Sequence, residues 1–371
     1  MRVGDPIYLT SIRMSDEQNG WGIDGGDHIL HTRDGGHSWR DITPYYPYHY
    51  DKPTFFANAF FALDANTAWV TAPATMACIV QNLNCTVIPN TGVVWHTTDG
   101  GQNWQGQFVT PLTQGYTPIS MQFLDAQTGW LLTFTILGVD LRYQLYQTSS
   151  GGTNWSQVWD ISSRTTPEDP HEKNITAIAF QDSQTGWMST SEICCEAHII
   201  KEWNIYRSTD AGSTWEAFSL PAPDPLPETF LHNTTQCAVQ DVKVISPDSL
   251  DTSIYCYVYE GLSKPEFYFH YHSVDGGKHW VSFQKTGDVQ FIDAMIGWKM
   301  RPDEGAYDIE RTEDGGVTWR TIKTVQWSGS LHFVNKFVGW ALAGSNEGSA
   351  LVHTVDGGRT WEVLSPVVAG N

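Results

Sequence analysis

A segment of eight residues, Ser or Thr followed by x-Asp-Gly-Gly-x-x-Trp, recurs along the whole chain and constrains its fold more than any other feature. We call this segment the box. Two copies depart from the pattern, with Ser150 in place of the Asp and Ala211 in place of the first Gly. The boxes are Thr32–Trp39, Thr97–Trp104, Thr148–Trp155, Ser208–Trp215, Ser273–Trp280, Thr312–Trp319 and Thr354–Trp361. Recurrence at intervals of tens of residues indicates an architecture built from similar units.

A second element, an apolar run that ends in Gly-Trp or Ala-Trp, precedes six of the seven boxes. Its tryptophans are Trp21, Trp69, Trp130, Trp187, Trp298 and Trp340. In the fifth repeat we expect the strand around Tyr255 and Tyr257 to take its place. The two elements account for 13 of the 17 tryptophans (7 + 6). The search for function therefore narrows to the remaining four, chiefly Trp203, and the loops around them; the other three are Trp95, Trp159 and Trp327.

Each repeat contains four short runs with the alternation of β-strands, and no helical period of useful length occurs. Asp-Gly-Gly suits a hairpin turn, because glycine adopts positive φ and the Asp side chain bonds nearby backbone N–H groups. Four-stranded units repeated seven times predict an all-β fold: one seven-bladed β-propeller with four antiparallel strands and one box turn per blade, spanning residues 1–371. The expected blades are approximately 5–43, 54–108, 117–160, 174–219, 237–284, 287–324 and 329–365.

The box resembles the Asp-box of the bacterial neuraminidase repeat. Its pairing with an F-x-D-x-x-x-G-W hairpin, as in Phe123–Trp130, resembles the photosystem II stability/assembly factor family of seven-bladed propellers. Sialidases, xyloglucan-active glycoside hydrolases and sortilin-type receptors also carry such boxes, so the resemblance implies a fold rather than an activity. The assembly factors imply a propeller that grips a partner protein, through a basic patch in photosynthetic members. Here the arginines are dispersed, which favours a relative in a non-photosynthetic bacterium.

Residues that recur in every repeat are expected to serve the scaffold. The box Trp should pack between neighbouring sheets, and the box Asp should brace its turn. These residues are Asp34, Trp39, Asp99, Trp104, Trp155, Asp210, Trp215, Asp275, Trp280, Asp314, Trp319, Asp356 and Trp361. His31, His96, His272 and His353 each stand directly before a box, so they belong to a strand position and not to a metal site. We expect no metal and no cofactor.

Loops that do not recur are expected on one face of the propeller, opposite the box turns, and binding residues commonly lie on such loops. One is rich in tyrosine, whose flat ring and hydroxyl suit a sugar or a protein partner. Another, SEICCEAHIIKEW, contains His198 and Trp203. The candidate binding residues are Tyr45, Tyr46, Tyr48, Tyr50, His198 and Trp203.

The six cysteines are even in number, and most lie in expected loops. Cys78 and Cys85 could close one loop, and Cys194 or Cys195 could reach Cys237; a Cys194–Cys195 bond is an alternative. Cys256 lies inside an expected strand and is interpreted as a free buried thiol. Disulfides in loops favour an oxidising compartment outside the cytoplasm.

Catalysis is the less favoured interpretation. None of the early arginines, Arg2, Arg13, Arg33 and Arg40, is followed by Ile-Pro, which argues against a sialidase. Two carboxylates across a funnel could hydrolyse a glycoside. The weak candidates are Asp140, Glu192, Glu196, Asp303 and Glu304.

Charge restricts the partners. With 21 Lys and Arg against 41 Asp and Glu, the net charge is −20, which repels nucleic acid and anionic lipid. No apolar run is long enough to span a membrane. The sequence therefore predicts a secreted, periplasmic or cell-surface propeller, monomeric, that binds a protein or glycan ligand on its loop-bearing face, with a glycoside hydrolase as the alternative.

Overall fold

The computed structural model describes residues 2–44, 59–72, 93–108, 117–137, 140–162, 172–193, 204–223, 235–258, 266–345 and 348–370. Within these ranges every regular element is a β-strand, and no helix is long and apolar enough to cross a bilayer. The strands form seven sheets, one for each box, and the four strands of each blade are antiparallel. The predicted all-β seven-bladed propeller is confirmed.

The first four blades follow one another along the chain, with four strands in each. Blade 1 has β1 Leu9–Met14, β2 Gly20–Asp24, β3 Ile29–Thr32 and β4 Ser38–Asp41. Blade 2 has β5 Ala59–Ala62, β6 Ala68–Ala72, β7 Val93–Thr97 and β8 Gln105–Phe108. Blade 3 has β9 Thr117–Phe123, β10 Gly129–Leu137, β11 Asp140–Thr148 and β12 Ser156–Ser162. Blade 4 has β13 Glu172–Phe180, β14 Gly186–Ile193, β15 Asn204–Ser208 and β16 Glu216–Ser219.

The remaining blades follow the same order. Blade 5 has β17 Thr235–Ser246, β18 Ser249–Val258, β19 Glu266–Ser273 and β20 Val281–Gln284. Blade 6 has β21 Val289–Phe291, β22 Gly297–Asp303, β23 Ala306–Thr312 and β24 Arg320–Val325. Blade 7 has β25 Ser328–Phe333, β26 Gly339–Ser345, β27 Gly348–Thr354 and β28 Glu362–Leu364. A final strand, β29 Val367–Val368, lies beyond the last expected blade.

Two turns of every blade lie on the same face, which we call the turn face. One is the box, between the third and fourth strands, and the other joins the first and second strands. In blade 1 the N–H of Gly35 in the box donates to the carbonyl of Gln18 in the first turn at 2.8 Å, and an equivalent bond occurs in each of the other six blades. The strand ends that lead into the hairpins between second and third strands, and into the connections between blades, therefore lie at the opposite face, which we call the loop face.

The ends of the chain are joined by β29. It pairs in parallel with β4, the outer strand of blade 1, through Val367 with Ser38 and Val368 with Trp39. Pro6 bridges to Val367 from the other side. Sequence reasoning missed this strand, because two residues carry no alternation that could reveal it.

The core is divided into clusters between neighbouring blades. Six buried apolar clusters lie between blades 1 and 2, 2 and 3, 3 and 4, 4 and 5, 6 and 7, and 7 and 1. Among the described residues, no such cluster joins blades 5 and 6. That interface is built differently.

Candidate functional site

The box Asp is saturated by its own turn. In blade 1, Asp34 Oδ1 accepts hydrogen bonds from the Thr32 hydroxyl at 2.9 Å and from the Ser38 N–H at 2.8 Å, and Oδ2 accepts the Ser38 hydroxyl at 2.6 Å. Burial raises the pKa of Asp34, but the bonds from Ser38 and Thr32 outweigh it and hold the pKa below its ordinary value. In blade 3, Ser150 accepts the corresponding N–H of Asn154 at 2.9 Å. These side chains brace the turn and have little capacity left for a ligand.

The tryptophan of the second strand, not that of the box, is the deeper inter-blade contact. All six second-strand tryptophans are fully buried, whereas among the box tryptophans Trp39 alone is. Trp130 in blade 3 stacks on Phe180 of blade 4 at 3.7 Å and donates its indole N–H to the Ala211 carbonyl of that blade's box at 3.0 Å. Trp69 and Trp298 repeat both contacts with the next blade.

The residue before the box packs on the second-strand tryptophan of its own blade. His31 lies 4.7 Å from Trp21, and His96 lies 4.6 Å from Trp69. His31 Nε2 also donates to the Ala65 carbonyl of the next blade at 2.8 Å. These contacts explain why histidine recurs at this position. Among the described residues, no group of three or more His, Cys, Asp and Glu side chains is arranged to hold a metal ion.

Blade 5 places a carboxylate where six blades place tryptophan. Leu250 pairs with Ser273 and Asp251 with His272, the register in which Gly20 pairs with Thr32 and Trp21 with His31 in blade 1. The strand around Tyr255 and Tyr257 is the second strand of blade 5, as expected, but Asp251 and not a tyrosine occupies its tryptophan position. Those tyrosines lie four and six residues further along β18.

His272 takes over the stacking contact of the missing tryptophan and keeps the Nε2 bond that His31 makes from the same position. Its ring stacks on Phe291 of blade 6 at 3.7 Å and 7°, as Trp130 stacks on Phe180. Its Nε2 donates to the Ala294 carbonyl of blade 6 at 3.0 Å. Its Nδ1 lies 2.6 Å from Asp251 Oδ1, and both side chains are almost fully buried.

A second histidine completes this group. His270 is 5% exposed, its Nε2 lies 3.5 Å from Asp251 Oδ1, and its ring lies 5.2 Å from Phe283. Burial by itself raises the pKa of Asp251, but the charge of His270 and the hydrogen bonds of both histidines lower it to about 2. We call Asp251, His270 and His272 the Asp-His cluster. In the sequence, this cluster shows as an acidic residue in a strand whose other residues suit burial, followed in the next strand by two histidines two residues apart on one face.

Blade 6 contributes a charged side chain to its interface with blade 5 and a second one near the loop face. Lys299 Nζ lies 3.1 Å from Glu310 and over the ring of Trp319 at 4.5 Å. Arg301 bonds Glu310 at 3.1 Å and also bonds Asp308. The hydrogen bond to Glu310, the first cause, and the neighbouring carboxylates raise the pKa of Arg301. Its side chain is 41% exposed, and all three guanidinium nitrogens face carboxylates of blade 6.

The predicted catalytic carboxylates do not form an enclosed pair in the described structure. Asp303 and Glu304 are consecutive, exposed residues at the hairpin between β22 and β23, where Glu304 has φ of 39°. Asp303 lies 3.8 Å from Arg301. Asp140 lies in β11 and Glu192 in β14, but the structure does not describe their side chains. Glu196 lies outside the described residues.

Asp288, just before β21, was missed by sequence reasoning. Its Oδ2 accepts the Leu331 N–H of blade 7 at 2.6 Å. Burial, the largest effect, raises its pKa. In the sequence, Asp288 follows a glycine and is one of 41 acidic residues, so no pattern identifies it as a buried group.

The predicted binding residues lie outside the described residues. They are Tyr45, Tyr46, Tyr48, Tyr50, His198 and Trp203. The disulfide candidates Cys78, Cys85, Cys194 and Cys195 also lie outside the described residues. Three of the four unassigned tryptophans are described and pack against core clusters: Trp95 between blades 1 and 2, Trp159 between blades 3 and 4, and Trp327 between blades 6 and 7.

Two cysteine predictions need correction. Cys237 forms a disulfide with Cys256, which faces it on the adjacent strand of blade 5. Cys256 is therefore not a free thiol, and Cys237 does not pair with Cys194 or Cys195. The cross-strand register brought the two together, and that register could not be read from the sequence.

The fold and its sites thus define a seven-bladed β-propeller with a braced turn face and a charged interface between blades 5 and 6. No family model matches the chain, and no curated protein matches it. Among solved structures, YCF48 bound to D1 peptide is 17% identical and aligns over 96% of this chain and 94% of its own, with a TM-score of 0.52.

Two polysaccharide lyases also share the fold. The polysaccharide lyase Uly1 is 10% identical over 94% of this chain and 90% of its own, with a TM-score of 0.57. A PL25 ulvan lyase bound to a saccharide is 11% identical over 100% and 96%, with a TM-score of 0.52. At these identities the likeness shows the fold alone.

Proposed function

We propose that this chain is a binding or assembly propeller without catalytic activity, which holds a protein or carbohydrate ligand on its loop face. The observation that supports the proposal is that recurring side chains lie on one face of the propeller and non-recurring ones on the other. On the turn face, the recurring carboxylates are saturated by their own turns, as Asp34 is by Thr32 and Ser38. On the loop face, the residues differ from blade to blade.

The loop face offers suitable chemistry in its described part. Arg301 has a 41% exposed side chain there, and its guanidinium is paired with Asp308, Glu310 and Asp303. A carboxylate of a peptide, or a hydroxyl or acidic group of a sugar, would bind it in place of Asp303, the most distant of the three at 3.8 Å. The tyrosine-rich connection that contains Tyr46 and Tyr48 joins blades 1 and 2 in the sequence, and its rings would add flat apolar surface to a binding site. Propellers of this fold bind both classes of ligand, since YCF48 is bound to a peptide and the ulvan lyase to a saccharide.

An extracytoplasmic location belongs to the same proposal. The Cys237–Cys256 disulfide supports it, because disulfides persist in oxidising compartments. The high negative charge adds solubility there and disfavours nucleic acid as a ligand.

Arrays of glycans and of unfolded peptides test this proposal. Wild type should bind a restricted set of probes, and the double variant Tyr46→Ala, Tyr48→Ala should lose that binding without a change in melting temperature. Val317→Ser is the matched control, because Val317 is 66% exposed on the turn face and should bind normally. A reducing-sugar assay covers the alternative. Turnover of a polysaccharide that Glu192→Gln or Asp303→Asn abolishes would replace the proposal by a glycoside hydrolase.

A further inference from the structure

The interface between blades 5 and 6 differs in kind from the other interfaces of the ring. Where the others bury an apolar cluster, the described residues here bury Asp251, His270 and His272. Buried charge without paired charge is strongly unfavourable, so such an interface depends on the protonation of its members.

When Asp251 is ionised, as its lowered pKa indicates, the geometry of His272 calls for two protons on its ring. Nε2 faces the Ala294 carbonyl at 3.0 Å and Nδ1 faces the Asp251 carboxylate at 2.6 Å. Both partners are acceptors, and neutral imidazole has one N–H to donate. His272 is therefore an imidazolium paired with a carboxylate.

His31 provides the comparison within the same chain. It occupies the same position before its box and donates Nε2–H to the Ala65 carbonyl at 2.8 Å. Its ring lies beside Trp21 instead of a carboxylate, so one proton satisfies that bond. Burial, the largest effect, lowers the pKa of His31, in keeping with a neutral ring.

We propose that the interface between blades 5 and 6 is a pH-sensitive joint of the ring, closed while His272 holds two protons and loosened when it loses one. Loss of a proton leaves either Ala294 without a donor or Asp251 with only His270, 3.5 Å away, in a buried site, which favours separation of the two blades and entry of water.

The other ionisable groups at this interface do not replace that proton. His270 lies on the same strand, 3.5 Å from Asp251. Lys299 lies over the Phe283 ring at 5.0 Å and is paired with Glu310 at 3.1 Å. The Asp293 carboxylate, beside Ala294, accepts N–H groups of its own turn.

Hydrogen exchange of the full chain, expressed as protection factors, tests the proposal between about pH 6 and about pH 9. Peptides from β18, β19 and β22 should lose protection as pH rises, by at most about tenfold per pH unit because one proton is linked. Peptides from β2 and β3, which contain Trp21 and His31, should keep theirs.

Asp251→Asn is the matched variant. Its amide can donate to Nδ1 of a neutral His272, which still donates Nε2–H to Ala294, so the pH response should disappear. If this variant does not fold, NMR of histidine-labelled wild type reads the protonation of His272 directly. A singly protonated His272 at about pH 6 would overturn the proposal. So would equal pH responses in β18 and β2, or a response that persists in Asp251→Asn.

Discussion

The Nδ1 of His272 lies 2.6 Å from Oδ1 of Asp251, at a position where six other blades bury a tryptophan. The substitution keeps the shape of the inter-blade contact, because the imidazole stacks on Phe291 as the indole of Trp130 stacks on Phe180. It changes the chemistry of that contact from apolar burial to a buried ion pair.

Removing one partner of this pair should be far more harmful than neutralising it. Asp251→Ala leaves a buried imidazolium without its carboxylate, and we expect a loss of about 3–5 kcal/mol. Asp251→Asn preserves the hydrogen bonds and should lose much less. Denaturant unfolding at neutral pH measures both, and equal losses would mean that the hydrogen bonds kept by Asn do not compensate for the lost charge of Asp251.

The two kinds of tryptophan should differ in energetic weight. Trp130→Ala removes a fully buried ring and should cost about 3–5 kcal/mol. Trp319 is partly exposed and donates to Gly316 in its own box, so Trp319→Ala should cost clearly less. Urea unfolding of the two variants side by side decides this. A larger loss for Trp319→Ala would reverse our assignment of the inter-blade contact.

Sequence reasoning recovered the scaffold because its signals recur. Each box holds its turn with neighbours two to four residues away, as Asp34 does with Thr32 and Ser38, and seven copies confirm one another. The contacts that it missed occur once. The disulfide between Cys237 and Cys256 depends on strand register. The pairing of β29 with β4 depends on how the first and last blades meet in the fold.

The site was harder still to predict. Asp251 departs from the recurrent pattern, so comparison of the repeats could not identify it. Because the fifth repeat has no Gly-Trp, the prediction turned to the nearest aromatic residues, Tyr255 and Tyr257. Only the pairing of Asp251 with His272 shows which residue replaces the tryptophan.

Ala211→Gly should stabilise the protein. Ala211 has φ of 62°, a conformation that the six other boxes assign to glycine. Relief of that strain should outweigh the added freedom of the unfolded chain, giving a gain of about 1 kcal/mol. Thermal unfolding measures it, with Ala126→Gly as a control outside any box. A lower melting temperature for Ala211→Gly would contradict the strain argument.

Acid should destabilise the propeller through its depressed carboxyl groups. Desolvation raises the pKa of Asp275, but bonds from His279 and Ser273 lower it to about 2 from 3.8, and Asp251 is lowered equally. A carboxyl group with a depressed pKa stabilises the folded state above its unfolded pKa, and that stability is lost as pH falls through the folded value. Stability should therefore fall between pH 3.8 and about 2. For the buried Asp251 the loss is about 2 kcal/mol.

Asp251→Asn should flatten the acid limb of this profile, and Asp275→Asn should flatten it less, because Asp275 is mostly solvated. Stability that remains constant down to about pH 2 would contradict the depressed values.

The disulfide can be mapped directly. Alkylation under denaturing, non-reducing conditions followed by peptide mass mapping should find Cys237 joined to Cys256. The double variant Cys237→Ala, Cys256→Ala should lose about 2–4 kcal/mol. Recovery of alkylated Cys256, or of Cys237 joined to Cys194 or Cys195, would show that the assignment is wrong.

The central claim, that ligands bind the loop face, is tested most directly by the hydrogen-exchange footprint of the strongest glycan or peptide probe from the arrays. We predict protection at the loop face, in the hairpin that contains Asp303 and Glu304 and in the connection that contains Tyr46 and Tyr48. Protection confined to the box turns, such as Thr312–Trp319, with the loop face unchanged, would contradict the claim.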